Sequence, residues 1–274
     1  MKRFAELYEA LDSTTSTLAK VDALGRYFRQ APPPDAAWGL YVLTGRRLKR
    51  LLNVRHLVDW TRELTGIPEW MLSECYAVVG DLAETISLLL DTSRSSAPSE
   101  VPLSVWMEER IAPLRSLEVA AQRERVLELW RGLSRQELFL VNKLLTGELR
   151  VGVSETLVVR ALAQVAGLPA PVLAQRLMGD WTPSADFLAS VLGPGHATDD
   201  VSRPYPFFLA SPLEEEPQAL GERGQWLAEW KWDGIRGQLI RRSGRTFLWS
   251  RGEELIGERF PELLEAADRL PDGV

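Results

Sequence analysis

A switch of hydrophobic period near residue 193 constrains this chain more than any other feature. Upstream, apolar residues recur at helical spacing; downstream they fall into short runs of the kind strands make. "FAELYEAL" places Phe4, Leu7, Tyr8 and Leu11 on one face, and "TLAKVDALGRYF" does the same with Leu18, Val21, Leu24 and Phe28. The prolines of "APPPD" (31–35) stop the second helix, because proline lacks the amide hydrogen and clashes inside a helix. Helical patterns continue around 36–52, 54–64, 68–74 and 79–90. The polar, aperiodic "DTSRSSAPSEVP" (91–102) reads as an internal loop, after which helices resume from "LSVWMEERIAPLRS" to "APVLAQRLMG". "GPGHATDDVSRPYPFFLASPLEEEP" then has the Pro, Gly and acid content of a linker. Beyond it, "QWLAEWKW", "IRGQLIRR" and "TFLWS" read as strands with turns at Asp233-Gly234 and Ser243-Gly244, and "ERFPELLEAADRL" as a closing helix. The reading is a mainly α domain over 1–200 and the start of an α+β domain over 201–274, with the boundary near 195–210.

A length of 274 residues suits two domains. A single cysteine, Cys75, excludes an internal disulfide, and two histidines argue against structural zinc. Cys75 reads as a small core residue and Glu214–Glu216 as solvated linker, so no metal site is assigned to side chains. No apolar run approaches the ~20 residues that cross a bilayer, and acids stand where a signal peptide would be apolar. The expectation is a cytoplasmic, monomeric protein with no membrane partner.

The net charge of −6 argues against nucleic acid, but the charge is unevenly spread. No acid occurs between Ala36 and Val58, while Arg46, Arg47, Lys49, Arg50 and Arg55 all fall there. Such a window makes either a solvated basic face or a local phosphate-binding patch, which net charge only modulates. Farther on, "LRVGVSET" puts Gly152 in a tight connection and Ser154 where a helix begins, flanked by Lys143 and Arg150. A helix start offers free N–H groups to an anion, and it is equally an ordinary N-cap after a turn.

The densest constellation is "AEWKWDGIRGQ" (228–238). On a strand, Glu229, Lys231 and Asp233 share one side, while Trp230 and Trp232 share the other and anchor the strand in a core. A lysine becomes a nucleophile at neutral pH when burial and a neighbouring cation such as Arg236 lower its pKa from about 10.4. By itself, K-x-D-G fits the common two-residue hairpin turn better than a nucleophile.

The longer stretch around that string carries a resemblance. "EWKWDGIRGQLIRR" with "FLWSRGEELIGERFPEL" resembles the start of the adenylation domain of ATP-dependent DNA ligases, within the nucleotidyltransferase superfamily. The first family motif, K-x-D-G-x-R, matches Lys231, Asp233, Gly234 and Arg236; the next matches Ser250, Arg251, Gly252, Phe260 and Pro261. Upstream, "NKLLTGELRVGVSETLVVRALA" (142–163) and "VVGDLAE" (78–84) resemble segments of the all-helical DNA-binding domain of the larger enzymes, and "PYPFFLASPLEEEP" points to a bacterial branch.

The resemblance implies a helical DNA-binding domain followed by the start of a nucleotidyltransferase domain. Lys231 would attack the α-phosphate of ATP to form lysyl-AMP, with Glu229 and Trp230 at the adenine and Arg236 and Arg251 at ribose or phosphate. Asp233 and Gly234 would position the lysine loop, and Mg2+ would neutralise the triphosphate. The partner would be nicked double-stranded DNA, held by its phosphate backbone through Lys143, Arg150, Gly152, Ser154, Arg46 and Arg50.

Two departures stand out. Gly257 occupies a position where such ligases carry threonine, so local loosening is expected there. "LPDGV" (270–274) stops short of the family's third motif, so the chain alone is expected not to seal nicks, and Leu248 and Trp249 are expected to lie exposed. Two other readings remain: a non-catalytic duplex-binding module, and an RNA ligase or capping-type nucleotidyltransferase.

Overall fold

The computed structural model describes residues 1–48, 51–90, 100–131, 133–147, 149, 151–194, 201–207, 213–226, 230 and 232–273. Two compact units emerge, Met1–Leu173 with Thr182–Gly195, and Ala174–Trp181 with His196–Val274.

In chain order the helices are α1 (Lys2–Asp12), α2 (Thr17–Gln30), α3 (Pro33–Leu43), α4 (Val54–Thr65), α5 (Glu69–Val79) and α6 (Leu82–Leu90). There follow α7 (Leu103–Val105), a π-helical stretch (Trp106–Ile111) and a 3-10 turn (Ala112–Ser116), then α8 (Val119–Trp130), α9 (Arg135–Thr146), α10 (Glu155–Ala166), α11 (Ala170–Arg176) and α12 (Ala185–Leu192). In the first unit, α1 and α10 pack on α2, α6 packs on α9, and Leu11, Leu24, Leu57, Ile86, Trp106, Leu140 and Leu162 are buried. None of the described helices is by itself long and apolar enough to cross a membrane.

Local chemistry accounts for the helix ends. The side chain of Ser16 accepts the Ala19 amide, that of Asn53 accepts Arg55, and Ser134 and Glu137 make a reciprocal capping box for α9. The "APPPD" prolines do more than stop a helix. Ala31 caps α2, and Pro33 and Pro34 fill the first turn of α3, where a missing amide hydrogen is harmless. The predicted 36–52 segment is shorter in the structure, since α3 ends at Leu43 and Gly45 turns the chain at φ +82°. Of the predicted 91–102 loop, 91–99 lie outside the described residues; Glu100 and Val101 are irregular and Pro102 caps α7.

One face departs from its pattern. α1 buries Phe4, Leu7, Tyr8 and Leu11 as predicted, but on α2 Leu18 is 64% exposed and Lys20 only 8% exposed. Packing by both α1 and α10 rotates the buried stripe of α2 so that Lys20 points inward.

The second unit holds an antiparallel hairpin of β1 (Gly237–Arg242) and β2 (Arg245–Ser250), in register from Gly237↔Ser250 to Arg242↔Arg245, followed by α13 (Pro261–Ala267). The two-residue turn sits where predicted, with Ser243 at φ +51° and Gly244 at φ +67°, matching the twist of the ladder.

Three expectations fail here. No described residue of "QWLAEWKW" belongs to a strand, and Asp233-Gly234 joins no paired strands among the described residues. Trp230 and Trp232 are 84% and 79% exposed instead of anchoring a core. The cause is that no strand pairs with this segment among the described residues, so it has no buried sheet face. Conversely, Leu248 and Trp249 are buried, not exposed. The Trp249 ring lies over Gly179, 3.4 Å from where a Cβ would stand, and its Nε1 donates to the Ser202 carbonyl at 2.6 Å.

Candidate functional site

In the first unit the candidate surface is built around the connection from α9 to α10. Gly147 closes α9 in the left-handed conformation at φ +70°. Beside it, the turn after α3 brings in Arg46 and Arg47; a Cβ on Gly147 would stand 3.3 Å from Arg47 Cδ. The Arg47 carbonyl accepts from the Tyr41 hydroxyl at 3.3 Å, which steadies that turn, and the Arg47 side chain stays exposed.

At its far end the connection is gripped from inside. Lys20 Nζ donates to the carbonyls of Val151 (3.1 Å) and Gly152 (2.8 Å). Gly152 has φ +61°, a conformation costly for other residues, and a Cβ there would stand 2.8 Å from Lys20 Nζ. Ser154 then caps α10 by accepting the Leu157 amide at 3.4 Å. Residues Ser154, Glu155 and Thr156 are exposed, so the first-turn amides face solvent, with Glu155 the acid among them. Among the described residues, cations at both ends of a glycine-containing turn, beside an open helix start, suit phosphate oxygens.

Of the residues predicted for this surface, Gly152 and Ser154 stand at the end of the connection that Lys20 holds, and Arg46 precedes Arg47 at its Gly147 end. Arg50 and Arg150 lie outside the described residues. Lys143 corrects the reading of a phosphate-facing flank. It is 5% exposed, bonded to Asp81, with Nζ 5.3 Å from the Phe139 ring centroid. Its place on the inner face of α9 turns the ammonium away from solvent. Lys20 is the residue that pattern reading missed. Its signal was present, since it follows the period of Leu24 and Phe28 better than that of the exposed Leu18.

In the second unit, the hairpin joins the two predicted motifs. Its open end pairs Gly237 with Ser250, and the Arg251 amide donates to the Arg236 carbonyl at 2.9 Å. The turn after β2 is held by Ser250, whose hydroxyl accepts the Glu254 amide at 3.2 Å. Glu253, at φ +61°, accepts the Gly179 amide at 3.1 Å. Arg236 is half-buried and Arg251 exposed, while Asp233, Gly234, Trp230 and Trp232 are exposed, the two indole centroids 6.4 Å apart. Glu229 and Lys231 lie outside the described residues. Gly257 is not the loosened point its departure from threonine suggested. A Cβ there would meet Leu264 at 3.2 Å, so the glycine admits close packing of α13.

Among the described residues no group of three or more His, Cys, Asp or Glu side chains is placed to hold a metal ion.

A mainly helical unit with a glycine-containing turn at an open helix start is joined in one chain to a hairpin that brings Arg236 and Arg251 together. Comparison with known proteins gives the family. Residues 1–163 match the family described as DNA ligase N terminus. The chain is 34% identical over 276 residues to a probable DNA ligase of Streptomyces griseus, covering 98% of this chain and 48% of that protein. It is 31% identical over 278 residues to a probable DNA ligase of Koribacter versatilis, covering 97% and 47% respectively. To DNA ligase 1 of Korarchaeum cryptofilum it is 27% identical over 289 residues, with 100% and 51% covered. The chain belongs to the DNA ligase family and corresponds to its N-terminal region. It spans about half the length of these relatives.

Proposed function

We propose that this chain is the DNA-holding and nucleophile-bearing part of an ATP-dependent ligase that seals nicks in duplex DNA. The observation that carries the chemical half is the main-chain bond between Arg251 and Arg236, which sets the second motif beside the first. Lys231 attacks the α-phosphate of ATP, a P–N bond forms as the bond to pyrophosphate breaks, and the lysine loses a proton. The adenylyl group then passes to a 5′-phosphate, and the 3′-hydroxyl displaces AMP. Glu229 and Trp230 serve the adenine, Arg236 and Arg251 bind ribose or phosphate oxygens, and Asp233 and Gly234 shape the lysine loop. Magnesium, bound with the nucleotide, supplies charge neutralisation.

The DNA-holding half is assigned to Arg46, Arg47, Arg50, Arg150, Gly152, Ser154 and the open start of α10. These residues position phosphates without reading sequence. Because the chain spans about half the length of its relatives, we propose that these residues alone stop short of complete sealing.

Intact mass after incubation with ATP and magnesium tests the chemistry. A gain of one AMP, absent in Lys231→Ala, is the expected result; no gain would sink the nucleophile assignment for this chain. A second reading, a non-catalytic duplex-binding module, is favoured by the placement of all the assigned DNA-holding residues in the first unit. Duplex binding without any AMP adduct would select it.

A further inference from the structure

We propose that Lys20 is a positioning residue for phosphate capture, the inner cation of the DNA-holding surface; this rests on the DNA-binding function proposed for the chain. Lys20 is 8% exposed, and its hydrogen-bond partners are two carbonyl oxygens, those of Val151 and Gly152. Among the described residues it has no carboxylate within ion-pair distance. An ammonium carries three donors, and two are used here.

Burying a cation that has no carboxylate partner is costly, and its two carbonyl acceptors offset only part of that cost. A charge kept at that cost needs a use. Its two bonds fix the Val151–Gly152 peptide groups one step before the Ser154 cap, and so fix the direction in which the first-turn amides of α10 face. The same charge sits at the carbonyls just before the helix start and adds to the positive end of the helix dipole. Phosphate arriving at the turn is the missing counter-charge. Lys20 thus acts on phosphate through the turn it holds, which separates it from Arg46 and Arg47 at the surface. Lys143, comparably buried, differs because its charge is already balanced by Asp81.

The test compares the whole chain with Lys20→Met, Lys20→Gln and Lys20→Arg. Affinity for a nicked duplex is measured across a salt series, and thermal melting is recorded for each protein. Lys20→Met leaves the Val151 and Gly152 carbonyls without a donor and is expected to melt lower than the parent; well below its melting transition it should bind about tenfold more weakly at low salt and reduce the slope of log affinity against log salt by up to about 0.9. Lys20→Arg should recover the slope. Lys20→Gln, which keeps an amide donor for the carbonyls but no charge, should lose the slope as Lys20→Met does. An unchanged slope in either neutral variant overturns the proposal, whatever the melting temperature of that variant. Should the unsubstituted chain show no salt-dependent duplex binding, the parent reading fails instead, and that outcome is distinct from a parent that binds with indifferent Lys20 variants.

Discussion

Lys143 and Asp81 form an ion pair that locks α9 onto the start of α6. One carboxylate oxygen of Asp81 takes the Lys143 ammonium, while the other accepts the Glu84 amide at 2.9 Å. The two upstream segments that resemble ligases, around 78–84 and 142–163, therefore meet at this bond. Removing the lysine would leave a partly buried carboxylate without its partner. Lys143→Met is expected to lose about 2 kcal/mol of stability, read by urea denaturation, and to keep the salt slope of DNA binding intact. A reduced slope without destabilisation would return Lys143 to the DNA-contacting set.

Gly152 tests the turn between α9 and α10. Gly152→Ala places a Cβ in the left-handed region and drives it toward Lys20 Nζ. The backbone term costs about 1 kcal/mol, and the ammonium must move from its carbonyls. Loss of stability together with weaker duplex binding is expected. Normal binding by a destabilised variant would show that the turn's conformation is irrelevant to DNA.

At the outer edge, Arg46 and Arg47 share one turn, with Arg47 against Gly147. If both meet phosphate, replacing the pair with alanine lowers the log–log salt slope by about 2 units at little cost to melting temperature. A slope indistinguishable from the parent's would make this basic window a solvated face.

How much of this was legible in the sequence depends on whether the deciding force was local. The start of α10 and the end of α2 were, because Ser154 caps amides within its own turn and the prolines after Ala31 cannot continue a helix. The Ser243-Gly244 turn was legible for the same reason, both residues being able to adopt positive φ. Lys143 was not, since its burial depends on Asp81, far along the chain, and Lys20 was legible only as a place on the Leu24 and Phe28 face, its bonds to Val151 and Gly152 being set by α10. Trp230 and Trp232 misled because alternation names a face only where another strand pairs. Trp249 misled in the opposite sense: the segment bearing Gly179 covers it, and no periodicity announces that. In the second unit the sequence offered only motif order, to which the hairpin register adds the Arg236–Arg251 bond.

The contrast among the tryptophans can be measured. Trp249 is 6% exposed and hydrogen-bonded to Ser202, whereas Trp232 is 79% exposed. Trp249→Ala should destabilise the second unit by about 3 kcal/mol, while Trp232→Ser should change it by less than about 0.5 kcal/mol. Equal sensitivity of the two would contradict the packing of β2 against the Gly179 segment.

A pH dependence arises from the pair that ties α8 to α4. Arg123 donates from Nε to Glu63 at 3.0 Å and makes a second bond from its terminal nitrogen, and these bonds hold the Glu63 carboxyl below its ordinary range. A carboxylate with a depressed folded-state pKa binds fewer protons folded than unfolded. Its contribution is therefore complete above the unfolded glutamate value and disappears as pH falls through the lowered folded value. Both groups are open to solvent, so the contribution is small and screened by salt. Melting curves of the parent and Arg123→Gln should differ slightly at neutral pH and low salt, and converge in acid. A difference that persists below the lowered Glu63 pKa, or survives high salt undiminished, would assign the effect of Arg123 to packing of its aliphatic stem instead of to charge.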